Sequence, residues 1–89
     1  MSSLVPSTMT LLVQNLAKDD EFHNLEDIDH DITVEDIKCL LEIESQIPVS
    51  DQVLFFKSQE LTQEFKKLVD YGVTNNDMLT LTKRSGVMQ

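Results

Sequence analysis

Apolar residues fall into six runs along the chain, and the period within each run predicts an element. Met9-Thr10-Leu11-Leu12-Val13-Gln14-Asn15-Leu16 alternates imperfectly, with Met9, Leu11 and Val13 on one side, and predicts a strand over 9–16. Ala17 to Glu21 is polar and predicts a turn. Phe22, Leu25 and Ile28 then fall three apart, where a clean strand alternates by two. The partner strand of a hairpin therefore carries a bulge or starts late, near Asn24; a helical turn is the remaining option.

Thr33 to Ser45 carries a helix start and one apolar face. Thr33 can accept from the backbone N–H of Asp36, and Asp36 can reach back, an acidic form of the capping box. Val34, Ile37 and Leu41 recur at i, i+3 and i+7, with Leu40 beside them. Pro48 lacks an N–H and biases Ile47 away from the α region, so the helix ends before it. Residues 52–56 predict a strand with Leu54 and Phe56 inward and Phe55 outward. Ser58 to Leu61 predicts a short return strand, and Leu68 to Val73 a compact turn that buries Leu68 and Val73. Asn75-Asn76-Asp77 is turn chemistry. Met78-Leu79-Thr80-Leu81-Thr82 alternates strictly, with Leu79 and Leu81 facing the helix. The order predicts an α+β fold: one sheet of four to five strands covered on one face by one helix. Residues 1–8 read as a flexible leader, 9–84 as the single domain, and 85–89 as a tail or linker.

Eighty-nine residues hold one small core. No run approaches the ~20 apolar residues of a membrane span, and the N-terminus lacks a signal-peptide pattern. The one cysteine, Cys39, excludes an internal disulfide, reads as a partly buried helix residue, and points to cytosol or nucleus. The net charge of −9 sharpens the picture because it is uneven. Residues 19–36 hold nine acids and no Lys or Arg, whereas 51–89 is neutral. Nucleic acid and anionic membrane are therefore excluded as partners, and a basic protein surface suits such a face.

Catalytic and metal chemistry fail on spacing. Asp27-x-Asp29-x-Asp31 opens like a calcium loop, but Ile32 stands where Gly is required and Lys38 where Glu is required. His23 and His30 match no metal spacing and read as solvated surface residues. Gly72 and Gly86 make no phosphate cradle, Cys39 lies mid-helix rather than at an activating N-terminus, and no Asp-Thr/Ser-Gly is present. The chain reads as a non-enzyme without cofactor.

Ile47-Pro48, Gln52-x-Leu54-Phe55-Phe56, Leu61, Leu68-x-Asp70-Tyr71-Gly72-Val73 and Leu79-Thr80-Leu81 together resemble a ubiquitin-like domain, from about Met9 to Arg84. The resemblance implies the β-grasp fold. Ile37-Lys38-x-Leu40-x-Glu42-x-Glu44-Ser45-x-Ile47-Pro48-Val49 and Tyr71-Gly72-x-x-Asn75-Asn76-Asp77 most resemble the N-terminal domain of the DNA-damage-inducible shuttle family. Those proteins join such a domain to a retroviral-type aspartic protease domain and often a ubiquitin-associated domain, so the resemblance implies an amino-terminal module of a longer protein.

Carried over by position, the apolar recognition patch of ubiquitin falls on Phe55 at its centre, with Thr80 and Thr82 on the last strand and Leu16 near the hairpin tip. Gln59 stands where ubiquitin has a lysine, and Arg84 keeps a charge; Val53 and Lys57 flank Phe55. The histidine and one valine methyl of that patch are lost. The alternative is that Phe55 lies down on Lys57 or Val53 as incidental surface. The tail Arg84-Ser85-Gly86-Val87-Met88-Gln89 lacks a terminal Gly-Gly, which argues against conjugation.

The resemblance implies a monomeric module in one of two roles. The face around Val53, Phe55, Thr80 and Thr82 docks proteasome ubiquitin receptors or ubiquitin-interacting motif helices, or it binds ubiquitin itself, steered by the acids. A third reading is an acidic scaffold for head-to-tail assembly with a basic partner domain. For that, the loop before the last strand offers only Asp70 and Asp77.

Overall fold

A computed structural model of the chain describes residues 8–84. Most of the expected leader and all of the expected tail lie outside the described residues. The elements are β1 (Thr8–Asn15), β2 (Glu21–Asp29), α1 (Val34–Ser45), β3 (Gln52–Phe56), β4 (Gln59–Glu60) and β5 (Met78–Lys83), with short 3-10 turns at Val49–Asp51 and Leu68–Tyr71. The strands form one sheet in the order β2-β1-β5-β3-β4, in which β1 and β5 run parallel and the other pairs antiparallel. With α1 against one face, this is the β-grasp arrangement that the resemblance implies.

The inward positions are those that the alternation predicts. Met9, Leu11 and Val13 of β1, Leu54 and Phe56 of β3, and Leu79 and Leu81 of β5 are buried against Val34, Ile37 and Leu41 of α1. Each such burial contributes about 1.5–3 kcal/mol. In β2 the three-residue spacing has two causes. Phe22 and Leu25 lie on opposite faces, so Phe22 points away from the core. Leu25 and Ile28 both point inward because β2 carries an extra residue between them: Leu11 pairs with Leu25 but Met9 with Ile28. Asp27 takes up that bulge in the left-handed region, at φ 58°. The strand starts at Glu21, so the late start near Asn24 is ruled out.

Both ends of α1 are held by specific bonds. The Asp36 N–H donates to Thr33 Oγ1 at 3.2 Å, but only this half of the expected capping box forms among the described residues. The other end-groups are met by a loop: Val34 N–H donates to the Lys66 carbonyl and Glu35 N–H to that of Glu64. At the far end Gln46 is left-handed, at φ 64°, and its N–H returns to Glu42 O. Ser45 Oγ donates to Leu41 O at 2.6 Å and accepts from Ile47 N. The helix has therefore stopped before Pro48.

The structure corrects the expected exposure of His23 and of Cys39, and it shows a burial at Lys38 that the sequence did not indicate. His23 is only 7% exposed, because it pairs with Val13 on the inward side of the hairpin. Its Nε2 lies 3.2 Å from Asn15 Nδ2, and Asn15 Oδ1 accepts from Ala17 N. With Oδ1 so engaged, Nδ2 must donate to the ring. Lys38 is buried and spans to Glu64 at 3.3 Å. Cys39 is exposed rather than partly buried, one position round the helix from Lys38.

The segment between β4 and β5 explains the motif residues there. Leu68 and Val73 are buried, and Gly72, at φ 94°, ends the 3-10 turn where a side chain would strain the backbone. Tyr71 packs against the core and its hydroxyl accepts from Gln63 N. Asn75 Oδ1 accepts from Thr10 N, and Asn76, left-handed at φ 70°, donates its N–H to Thr10 O, both at 2.7 Å. Thr10 is the residue that the β2 bulge leaves without a partner in the register, so the loop takes it up instead.

Candidate protein-binding face

The sheet leaves one face open, and register identifies what stands on it. Phe55 pairs with Thr80, Thr80 with Gln14, and Gln14 with Phe22, a row across four strands; beyond Phe55 the row ends on Glu60. Val53 pairs with Thr82, and Leu12 pairs with both Met78 and Asn24. Directly paired side chains share a face. Val53, Phe55, Thr80 and Thr82 are therefore neighbours in a two-by-two block, each partly exposed. Phe55 is not a free-standing aromatic: it is half-covered within this block.

Leu16 follows β1 directly and is half-exposed, with its N–H donating to Leu81 O at 2.9 Å. The buried Asn15–His23 pair lies beneath it, so the hairpin end that presents Leu16 is braced from inside. Lys57 and Ser58, at φ 51° and 69°, form the two-residue turn between β3 and β4. Lys57 Nζ lies 5.3 Å from the Phe56 ring centre, not on Phe55. Gln59 pairs with Phe56 and so falls outside the Phe55 row; Glu60 takes the place facing Phe55. Arg84 is exposed beyond β5, with its N–H donating to Asp51 O at 2.6 Å. The fold thus gathers Val53, Phe55, Thr80 and Thr82, sets Leu16, Lys57 and Arg84 at the margins, and leaves Gln59 off the row.

Three members of the face were not singled out by sequence. Phe22 is 53% exposed on β2, and Leu12 of β1 and Met78 of β5 pair with each other on the same face. The signal for Phe22 was present: its offset of three from Leu25 places the two on opposite faces. Charge is also divided by the fold. The acids of α1 lie on the covered side of the sheet, as does Glu21 through its pairing with the inward Asn15, while Asp19 and Asp20 share the exposed turn with Leu16. No group of three His, Cys, Asp or Glu residues among the described residues could hold a metal ion. Likewise, no helix among them is long and apolar enough to cross a membrane.

A sequence profile of the Ubiquitin family matches residues 11–86. Two proteins called "Protein DDI1 homolog 2", from Xenopus laevis and Xenopus tropicalis, are each 31% identical over 58 residues, 65% of this chain and 15% of theirs. "Protein DNA-DAMAGE INDUCIBLE 1" of Arabidopsis thaliana is 38% identical over 55 residues, 62% of this chain and 13% of that protein. The matched stretch is thus a small part of these curated relatives. In three dimensions, the ubiquitin-like domain of another Arabidopsis thaliana protein, solved by NMR, superposes with a TM-score of 0.81. The match covers 99% of this chain and 89% of that one at 19% identity, and it shows a shared fold.

Proposed function

This chain belongs to the ubiquitin family, and on that footing we propose that it is a non-catalytic interaction module whose open sheet face receives an amphipathic helix of a ubiquitin receptor. The row Phe22–Gln14–Thr80–Phe55, with Val53 and Thr82 beside it, carries this reading. It offers a flat apolar strip with threonine hydroxyls, on which the apolar stripe of a helix can lie. Arg84 at its margin favours acids flanking that stripe. In the wider reading the domain serves a proteasome shuttle protein of the DNA-damage-inducible type, in cytosol or nucleus. An aspartic protease domain would then lie beyond this sequence.

Titration of the 15N-labelled chain with a ubiquitin-interacting-motif peptide tests the proposal. Shifts are expected at Val53, Phe55, Thr80 and Thr82, and Phe55→Ala should weaken binding about tenfold or more while the fold persists. Absence of shifts at millimolar peptide, or shifts confined to α1, would refute it.

A second reading, binding of ubiquitin itself, is favoured by Asp19 and Asp20, which share the exposed hairpin turn with Leu16. Titration with ubiquitin should then shift this end of the sheet, less so as salt rises. A salt-independent response would remove the steering role of the acids. The head-to-tail scaffold is the weaker alternative, because Asp77 is engaged within its own turn, accepting from Thr74 N and Thr74 Oγ1.

A further inference from the structure

The side of the molecule away from the open face carries a second feature. Between α1 and β2 runs a groove of about 330 Å³, floored by the buried Leu25 and Ile28 and walled by Leu40 and Ile43. At Leu40 it continues into a second hollow of about 400 Å³ that reaches Cys39 and Ile32. Ile43 is 75% exposed, so an apolar wall stands in water. The groove follows β2, an outer strand of the sheet.

The rim of this groove is acidic. Glu26, Asp27 and Glu44 line its first part, and Asp29, Asp31 and Asp36 its second, where Lys67 meets Asp31 and leaves the other acids without a cation partner among the described residues. Between Glu21 and Ser45 there are nine acids against the single Lys38, which is buried and engaged by Glu64. We propose that the α1–β2 groove is a second docking site, occupied by a basic amphipathic segment of a partner protein. Its apolar side chains cover Leu40 and Ile43, and its Lys or Arg side chains meet the acidic rim.

Charge complementarity selects this occupant. Phosphate backbones and anionic lipid surfaces would meet repulsion along the whole rim. A second copy of this chain brings its own net charge of −9. The basic stretch beside its exposed Phe65 is already committed, since Lys67 Nζ sits 3.5 Å from Asp31 and Lys66 Nζ 5.1 Å from the Tyr71 ring. The groove and the open sheet face lie on different sides of the sheet, so both can be filled at once.

The test uses the full 89-residue chain and a short synthetic peptide in which leucine alternates with lysine, with a serine-for-leucine peptide as control. Binding should appear as amide shifts at Asn24, Leu40 and Ile43, and it should weaken as salt rises. Ile43→Ser should lower the affinity about tenfold, and the serine peptide should lose as much. Because Ile43 is exposed, the fold should survive; Leu40→Ser provides an independent second variant. The proposal is overturned by no binding at millimolar peptide, by equal affinity for Ile43→Ser, or by shifts confined to the Phe55 face. Self-association in sedimentation that Ile43→Ser abolishes would also overturn it, since the occupant would then be a second copy.

Discussion

Changing Gln52 to glutamate replaces one amide by a carboxylate and should be among the most damaging conservative substitutions in this chain. Gln52 is 1% exposed at the inward-facing start of β3. Its Nε2 donates to Lys38 O at 2.8 Å and to Ile47 O at 2.9 Å, tying the strand to the middle of α1 and to the segment that leaves it. Its Oε1 is buried without a partner among the described residues. Glutamate removes both donors and sets an ionised oxygen against two carbonyl oxygens, an uncompensated buried charge that costs about 3–5 kcal/mol. Methionine offers the control. It loses two bonds worth about 1 kcal/mol each but also removes the orphan oxygen, for a net cost of about 1–2 kcal/mol.

Urea unfolding at neutral pH, with wild type measured alongside, should resolve the two variants. The pH dependence has a definite sign. Burial without donors raises the introduced carboxyl in the folded state above the unfolded value of about 4.3. The protonated form is the one the fold tolerates. The deficit relative to wild type is therefore small below the unfolded value and grows as pH rises through the folded one. Refutation would come from Gln52→Glu matching Gln52→Met at neutral pH, or from a gap that does not change with pH.

Two further expectations concern turns and caps. Lys57 and Ser58 both occupy the left-handed region, which Asn-Gly adopts more readily in a two-residue hairpin. The replacement should raise stability by about 1 kcal/mol after loss of the Lys57–Phe56 contact, measured by thermal unfolding, and a decrease would mean that this contact dominates. Thr33→Ala removes the side-chain N-cap of α1 and should lower stability by about 1 kcal/mol in the same assay. A negligible loss would show that the Lys66 and Glu64 carbonyls suffice for that end.

The elements were legible because the core is built on local periods. Leu79 and Leu81 alternate with threonines, and Val34, Ile37 and Leu41 mark one helix face, so inward residues could be named without knowing the strand order. Positions governed by distant partners were not legible in the same way. His23 is polar and lies among acids, yet the pairing with Val13 buries it and Asn15 satisfies it. Lys38 is buried because Glu64, far along the chain, reaches it. The open face of the sheet was legible at Phe55, which a strand's alternation turns outward. Gln59, named by its correspondence with ubiquitin's lysine, pairs with Phe56, because the two-residue turn at Lys57 and Ser58 sets Glu60 opposite Phe55. The acids were visible as a run, but their collection along one groove depends on β2 and α1 lying side by side.

The parallel pairing at the middle of the sheet has a mechanical consequence. β1 enters the fold from the amino-terminal side and β5 leaves it toward the carboxyl-terminal side, and they lie adjacent and run in the same direction from Leu12 and Met78 to Asn15 and Leu81. A pull applied between the two ends of the domain therefore drags these strands past each other along their length. The bonds between them share the load and must break together, where a peeled hairpin would surrender them one at a time. The same tension also meets the Thr10 anchor on Asn75 and Asn76, which lies in line with the shear. The topology that assembles the open face thus also gives the domain a direction in which it resists extension.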